Sequence, residues 1–139
     1  MMFKEIQKYL LSHHEPKDYN RCLLIKFGGK EYYICSRCSG WYSSFILFLI
    51  FLLIGIDFIL SYKIIILYLF PIPALIDWSL HRFRICNGNN LSRILTGFLI
   101  GLTFATLLYT FIKNPFDINF WIVSIIYTFI VVIIFKITK

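Results

Sequence analysis

The chain has 139 residues, of which 59% are hydrophobic, and its mean hydropathy is +0.76. Soluble domains contain about 45 to 50% apolar residues, so this composition excludes an ordinary soluble protein and indicates an integral membrane protein of one domain. The formal net charge of +7 could suggest a nucleic-acid partner. Cytoplasmic loops of membrane proteins collect Lys and Arg, however, and that rule explains the charge without any nucleic acid.

The first 40 residues precede the long apolar runs, and we interpret them as a small cytoplasmic cap. Phe3, Ile6 and Leu10 recur at helical spacing among lysines, which predicts a short amphipathic helix on the membrane surface. We read no cleavable signal peptide in this polar segment.

Two β-prone runs follow in the cap and are joined by two glycines, residues 28–29, a pattern that predicts a tight β-hairpin. The turn sets the register of the two strands. Lys26 then faces Glu31 as an opposite-charge pair, and Cys22 lies directly opposite Cys35.

The hairpin leads into a C-x-x-C motif formed by Cys35 and Cys38. On a tight turn such a motif resembles a zinc knuckle, because two thiolates can converge on one ion. His13 and His14 are the predicted further ligands, and Cys22 is a candidate fourth. In the reducing cytoplasm paired cysteines are more often metal ligands or redox thiols than disulfides, so we expect Zn²⁺, with iron as the alternative ion.

Four apolar stretches approach the roughly 20 residues that a membrane-crossing helix needs. They cover residues 41–60, 64–80, 91–112 and 118–135. The sequence therefore predicts an all-α integral membrane protein, a four-transmembrane-helix bundle that carries the cytoplasmic cap of residues 1–40.

The distribution of basic residues predicts the orientation. Every Lys and Arg except Lys63 and Lys113 lies in the cap, around the loop between spans two and three, or in the C-terminal tail. The positive-inside rule then places both termini in the cytoplasm, with the protein in the cell membrane.

Span two combines a break with polar residues. Two prolines within residues 71–73 predict a bend or break in the helix. Asp77 and His81 are four residues apart and share a helical face, and a carboxylate near a span is costly, so we expect Asp77 to orient His81 as a base or ligand. The alternative is that Asp77 pairs with Arg82 or Arg84 at the interface.

The start of span three has the features of an anion site. Asn89 or Asn90 can cap the helix, whose amino end carries free N–H groups and positive dipole charge. Arg93 lies one turn in, with Arg82 and Arg84 nearby. A phosphate or an anionic lipid headgroup would fit here, and ordinary capping is the alternative.

Gly97 and Gly101 form a G-x-x-x-G motif in span three, which allows another helix to approach closely. The motif also makes a homo-oligomer through this face a candidate assembly.

Four ordered motifs resemble those of the predicted membrane proteins grouped as domain of unknown function 2085. The motifs are His13-His14-Glu15-Pro16, then Cys35-Ser-Arg37-Cys38-Ser-Gly40, then Pro73 to Asp77 followed by His81, and finally Asn89-Asn90-Leu-Ser-Arg93-Ile-Leu-Thr96-Gly97. His13 stands where the family opens with Cys. The resemblance covers roughly residues 12 to 105 and implies the same architecture and polar set, without naming an activity.

The leading functional hypothesis is a metal-dependent membrane enzyme that acts on a phosphate-bearing or lipid substrate. The metal would activate water or polarise a phosphoryl group, Asp77 and His81 would transfer protons, and Asn90 with Arg93 would hold the anionic group. This hypothesis predicts a pocket that reaches the bilayer.

Three alternatives stay open from the sequence. A structural metal site in an assembly or interaction protein predicts filled ligand positions and no pocket. A membrane thiol redox protein would use Cys22, Cys35 and Cys38 and would hold no metal. Transport is a weaker fourth idea, because the spans offer few ionisable residues.

Overall fold

The computed structural model describes residues 16–55, 61–83, 85 and 89–138. Within these ranges, four helical segments are long and apolar enough to cross a membrane, so the expectation of a mostly helical membrane protein is confirmed. In chain order the elements are a 3-10 helix (Pro16–Arg21), β1 (Cys22–Phe27), β2 (Lys30–Cys35), α1 (Ser36–Leu53), α2 (Lys63–Tyr68), α3 (Pro71–Arg82), α4 (Asn90–Lys113) and α5 (Ile118–Ile137). The predicted amphipathic helix, His13 and His14 lie outside the described residues.

The strands β1 and β2 form an antiparallel hairpin in the expected register. Residues 28–29 have φ angles of 58° and 74°, the left-handed conformation that a two-residue type I′ turn needs and that glycine adopts without strain. Cys22 pairs with Cys35, and Lys26 pairs with Glu31 through a 2.9 Å contact between Nζ and Oε1.

Helix α1 begins at Ser36, ahead of the expected start at residue 41, because its first polar residues are satisfied by other parts of the chain. The Ser36 hydroxyl donates to the carbonyl of Arg21, and Arg37 pairs with a carboxylate on α3. Cys35 is therefore the residue before the helix and Cys38 lies in its first turn, so the motif is at the start of a helix and not on the expected tight turn. The helix ends at Leu53, and the rest of the expected span, residues 56–60, lies outside the described part of the chain.

The tightest packing in the bundle joins α1 to α4. A Cβ atom on Gly97 would lie 2.1 Å from the carbonyl oxygen of Arg37, and one on Gly101 would lie 1.9 Å from Oγ of Ser44. The expected close approach at these two glycines is confirmed, and the neighbour is α1 of the same chain. Within the chain this face is occupied by α1, and the homo-oligomer stays a prediction.

The second span is broken as expected. Helix α2 ends at Tyr68 and α3 starts at Pro71, so the proline occupies the first helical position, where its missing N–H removes no hydrogen bond. The two halves together still form one membrane-length segment, Lys63–Arg82.

Helix α5 is held by polar contacts at its two ends and at one point between them, the Tyr127 hydroxyl, which donates to the carbonyl of Tyr68. At its start, Lys63 Nζ contacts Asp117 Oδ2 at 2.6 Å. At its end, Arg82 Nε donates to Thr138 Oγ1 at 3.0 Å. Across the whole of α5, all of which the structure describes, Val123 is the single buried residue.

Candidate lipid and anion site

Three parts of the chain meet beside the end of the hairpin. The Ser36 hydroxyl donates to the carbonyl of Arg21 at 2.9 Å, and Asn90 Nδ2 donates to the carbonyl of Asn20 at 3.1 Å. The end of the 3-10 helix is thus fastened to the starts of α1 and α4. This junction brings the sequence motifs around residues 35–40 and 89–97 to one place.

Asp77 of α3 joins this junction through both of its carboxylate oxygens. Oδ2 forms an ion pair with Arg37 of α1, and Oδ1 accepts a hydrogen bond from Ser92 Oγ of α4 at 3.2 Å. The two paired side chains are 26% and 15% exposed, so both charges are largely withdrawn from solvent. The carboxylate therefore ties three helices together.

These partners differ from the two interpretations of Asp77 made from sequence, which placed its partner within or just after its own span. Arg82 instead donates to Thr138 and lies over the Phe135 ring at 4.8 Å. Arg84 lies outside the described residues. The catalytic roles of Asp77 and His81 stay predictions.

The start of α4 has the expected cap. Asn89 Oδ1 accepts a hydrogen bond from the backbone N–H of Ser92 at 2.7 Å, so Asn89 is the N-cap residue. The neighbouring Asn90 has a buried side-chain oxygen for which the described part of the chain supplies no hydrogen-bond partner. A buried amide oxygen of this kind accepts a donor readily.

Arg93, Arg37 and Arg21 form what we call the arginine cluster. Arg93 is only 7% exposed. The charges of Arg21, Arg37 and Asp77 all act on its guanidinium. These described groups comprise three guanidinium groups and one carboxylate. The excess positive charge is partly buried, so it favours the binding of an anion.

The three cysteines in the described part of the chain lie next to this cluster as thiols. Cys22 and Cys35 are 7% and 4% exposed and face each other across the hairpin. A hydrogen bond joins the side chains of Cys38 and Cys35. Among the described residues no group of three or more His, Cys, Asp or Glu side chains is arranged to hold a metal. The metal set, which includes His13 and His14, stays a prediction.

A cavity of about 570 Å³ lies between α3, α4 and α5. Its lining is mostly aliphatic and aromatic and includes Ala74, Leu107 and Val123. Hydroxyl groups in the lining are largely bonded within the protein. Thr103 donates to the carbonyl of Leu99 on α4, Ser124 donates to the carbonyl of Phe120 on α5, and the Tyr127 hydroxyl donates to the carbonyl of Tyr68 on α2. The walls therefore suit hydrocarbon.

The cavity meets the arginine cluster at Arg37. Among the described residues that line it, Arg37 alone carries a charge. Its Nε atom is buried and has no hydrogen-bond partner in the described part of the chain, although a terminal nitrogen pairs with Asp77. The cavity is thus apolar along its walls and has a hydrogen-bond donor at one end.

The opposite end of the bundle is held by a different ion pair. The hydrogen bond from Lys63 lowers the pKa of Asp117 below its ordinary value, partly offset by burial. Asp117 also caps α5, since its Oδ1 accepts from the N–H of Asn119 at 2.9 Å. On the hairpin, the exposed Lys26 likewise lowers the pKa of Glu31.

We predicted from the sequence that Asn90, Arg93 and Asp77 lie in one region, and the structure brings them together. The sequence did not identify Arg37 and Ser92 as the partners of Asp77. A signal was present for Arg37, because it lies inside the C-x-x-C motif at the entrance to a span, where a charged residue needs a partner.

No curated protein and no solved structure matches the chain. A family described as "Predicted membrane protein (DUF2085)" matches residues 17–107, which confirms the resemblance drawn from the motifs. The match contains the hairpin, α1, α3, the whole arginine cluster and most of α4, and it ends before α5. Because it spans well over half of the sequence, the chain belongs to the DUF2085 family of predicted membrane proteins.

Proposed function

We propose that this membrane protein binds a phosphate-bearing lipid, with hydrocarbon in the cavity between α3, α4 and α5 and phosphate at the arginine cluster. The observation that carries the proposal is an apolar cavity of about 570 Å³ whose charged lining residue is Arg37. Ligand sites commonly combine this kind of volume and apolar lining with a few polar groups that fix orientation.

The charge of the site supports an anionic headgroup over a neutral one. The guanidinium of Arg37 retains a buried N–H while it pairs with Asp77, and Arg93 adds a second, largely buried positive charge. Guanidinium groups bind phosphate through charge-assisted hydrogen bonds, which contribute about 1.5 to 3 kcal/mol each.

The side of the membrane is part of the proposal. Basic residues crowd the end of the bundle that carries the hairpin, so we place that end in the cytoplasm and the headgroup in the cytoplasmic leaflet of the cell membrane.

Binding experiments with matched lipids test this proposal. Purified protein in a fixed detergent is titrated with lysophosphatidate and monoacylglycerol, and with phosphatidate and diacylglycerol, so that each pair shares its hydrocarbon and differs in phosphate. We expect at least one phosphate-bearing lipid to bind tenfold or more tightly than its neutral partner, a difference of about 1.4 kcal/mol. Equal binding within both pairs would contradict the proposal.

The matched variants are Arg37→Gln and Arg82→Gln. Arg37 lines the cavity, whereas Arg82 is exposed and contacts the end of α5. The first change should abolish the preference for phosphate and the second should keep it. Because the first change also leaves Asp77 without its ion-pair partner, the double variant Arg37→Gln with Asp77→Asn serves as a charge-balanced check.

We also propose a zinc site beside the lipid headgroup, formed by Cys35 and Cys38 with His13 or His14, and with Cys22 as a further ligand. Cys22 faces Cys35, and Cys38 hydrogen-bonds to Cys35, which supports their action as a set. Zinc would polarise a bound phosphoryl group as a Lewis acid, with Asp77 and His81 as candidate proton-transfer groups. The cavity favours this arrangement over a structural zinc cap, which needs no pocket.

Elemental analysis of the protein purified without chelator tests the zinc proposal. We expect about one zinc per chain in the wild type and loss of it in Cys35→Ser and Cys38→Ser, with Ser39→Ala as the matched control on the same turn. A metal-free wild type would sink the zinc proposal and favour the thiol redox alternative, while the lipid proposal would stand.

A further inference from the structure

We infer that the ligand of the cavity carries one hydrocarbon chain and a terminal anionic group, rather than two chains. The inference rests on the proposed function, because it concerns the same cavity and the same arginine. It narrows the ligand class from membrane lipids in general to single-chain amphiphiles such as lysophospholipids or long-chain phosphate monoesters.

The volume of the cavity suits one chain. The cavity holds about 570 Å³. A methylene group occupies about as much space as a water molecule in the liquid, roughly 30 Å³, so the cavity accommodates on the order of 19 methylenes. That is one long chain. A second chain of equal length would need about twice the space.

The length of the cavity also suits one chain. Its lining residues on α4 run from Ile100 to Phe111. At about 1.5 Å per residue this distance is roughly 16 Å. The stretch lies in the half of α4 farther from the hairpin, so a chain that extends from Arg37 toward Phe111 would follow it.

The charged lining residue, Arg37, lies at one end of the cavity. Gly97 of α4, whose Cβ position abuts the Arg37 carbonyl, lies about one turn before Ile100. Arg37 is therefore at the end of the cavity nearest the hairpin, where a headgroup at the membrane face would lie. An anion there and hydrocarbon toward Phe111 give the ligand a single orientation.

Competition between one-chain and two-chain ligands with the same headgroup tests the inference. Palmitoyl lysophosphatidate and dipalmitoyl phosphatidate are titrated against wild-type protein at one detergent concentration, with palmitate as a carboxylate that separates phosphate recognition from general anion recognition. We expect lysophosphatidate to bind at least tenfold more tightly than phosphatidate. Equal or tighter binding of phosphatidate would overturn the inference and leave the proposed function intact, whereas failure of both to bind would overturn both.

A matched pair of tryptophan variants locates the chain. Val123→Trp fills the cavity, and Val132→Trp adds the same bulk to an exposed position of α5. In Val123→Trp we expect binding of an 18-carbon lysophosphatidate to weaken at least tenfold and that of a 10-carbon chain to weaken less than threefold. Val132→Trp should leave both unchanged.

Equal loss for the two chain lengths in Val123→Trp, or equal loss in the two variants, would contradict a single chain running past Val123. Thermal unfolding of each variant accompanies the titrations. If Val123→Trp fails to fold, Val123→Phe replaces it with the same expected order of effects.

Discussion

Helices α1 and α5 pack against α4 in opposite ways. Along α1 the contact is so close that a methyl group on Gly40 would lie 2.2 Å from the carbonyl oxygen of Ile94. Along α5 the structure describes every residue and Val123 is the single buried one, while Phe129 is 65% exposed. One helix meets α4 backbone to backbone, and the other stands off and leaves a cavity.

This difference between the two contacts distinguishes the rigid part of the molecule from the part that can accept a ligand. Small residues and the Arg37–Asp77 pair fix α1, α3 and α4 to one another, so the arginine cluster sits on a rigid frame. Helix α5 is mostly apolar and is held at its ends and by the Tyr127 hydroxyl, which donates to the carbonyl of Tyr68, so the rest of its middle can form the wall of a cavity. The family match covers the frame and ends before α5.

The largest expected effect is in the α1–α4 contact. Gly97→Ala would place a methyl group 2.1 Å from the Arg37 carbonyl oxygen, a backbone atom that cannot yield without moving the helix. We expect a loss of about 3 kcal/mol or more in unfolding free energy. Thermal unfolding in detergent, with denaturant titration where it is reversible, measures the loss.

Val123→Leu is the control, since it adds about one methylene on the cavity side. We expect it to cost less than about 1 kcal/mol. A Gly97→Ala variant as stable as Val123→Leu would mean that the two interfaces do not differ.

The second effect concerns the ion pair that joins the frame. Asp77→Asn leaves the largely buried Arg37 without its countercharge, and we expect a loss of about 2 kcal/mol, below the range for fully buried pairs because both side chains retain some exposure. Unfolding of the single variants Arg37→Gln and Asp77→Asn and of the double variant gives the coupling energy. Additive losses would show that the pair contributes no coupling.

The third effect is a pH dependence at the start of α5. The pKa of Asp117 is lowered mainly by its hydrogen bond from Lys63, so the pair stabilises the folded state at pH values above the ordinary pKa of the carboxyl group. This contribution is lost as the pH falls from about 4 through the lowered pKa. The pair is partly exposed, so we expect an effect of about 1 kcal/mol or less.

Asp117→Asn tests this effect because asparagine retains the capping oxygen and removes the charge. Hydrogen exchange along α5, compared between pH values near 6 and near 3, should change less in the variant than in the wild type. Identical pH responses would rule out Asp117 as the group that titrates.

The smallest effect is expected on the hairpin. Lys26 and Glu31 form a pair that is 69% and 49% exposed, and each shifts the pKa of the other toward its charged form. Exposed pairs are screened by solvent, so Glu31→Gln should leave the unfolding midpoint unchanged within error. A measurable drop would mean that the hairpin carries more of the fold than the helix contacts indicate.

Local sequence signals predicted the parts of the fold that depend on neighbouring residues. The glycine pair at residues 28–29 sets the hairpin register, the prolines in residues 71–73 break the second span, and Asn89 caps α4. Each of these effects acts within a few residues, so it can be inferred without knowledge of the fold.

The site itself depends on contacts between distant residues. Arg37 and Asp77 are 40 residues apart in sequence. Hydropathy therefore predicted a start for the first span that is too late. It takes no account of Asp77, whose carboxylate pairs with Arg37 and makes a charged residue acceptable inside the helix. The sequence also did not predict the cavity, because apolar residues surround most of α5 and do not indicate which face stands away from α4.

The central claim is that hydrocarbon occupies the cavity between α3, α4 and α5. Photo-crosslinking with a lysophosphatidate that carries a diazirine in mid-chain, followed by peptide mass spectrometry, tests it most directly. The account predicts crosslinks to cavity residues such as Leu107 and Val123, competed by unlabelled lysophosphatidate and lost in Arg37→Gln. Crosslinks confined to exposed side chains such as Ile125 and Phe129, and insensitive to competitor, would contradict it.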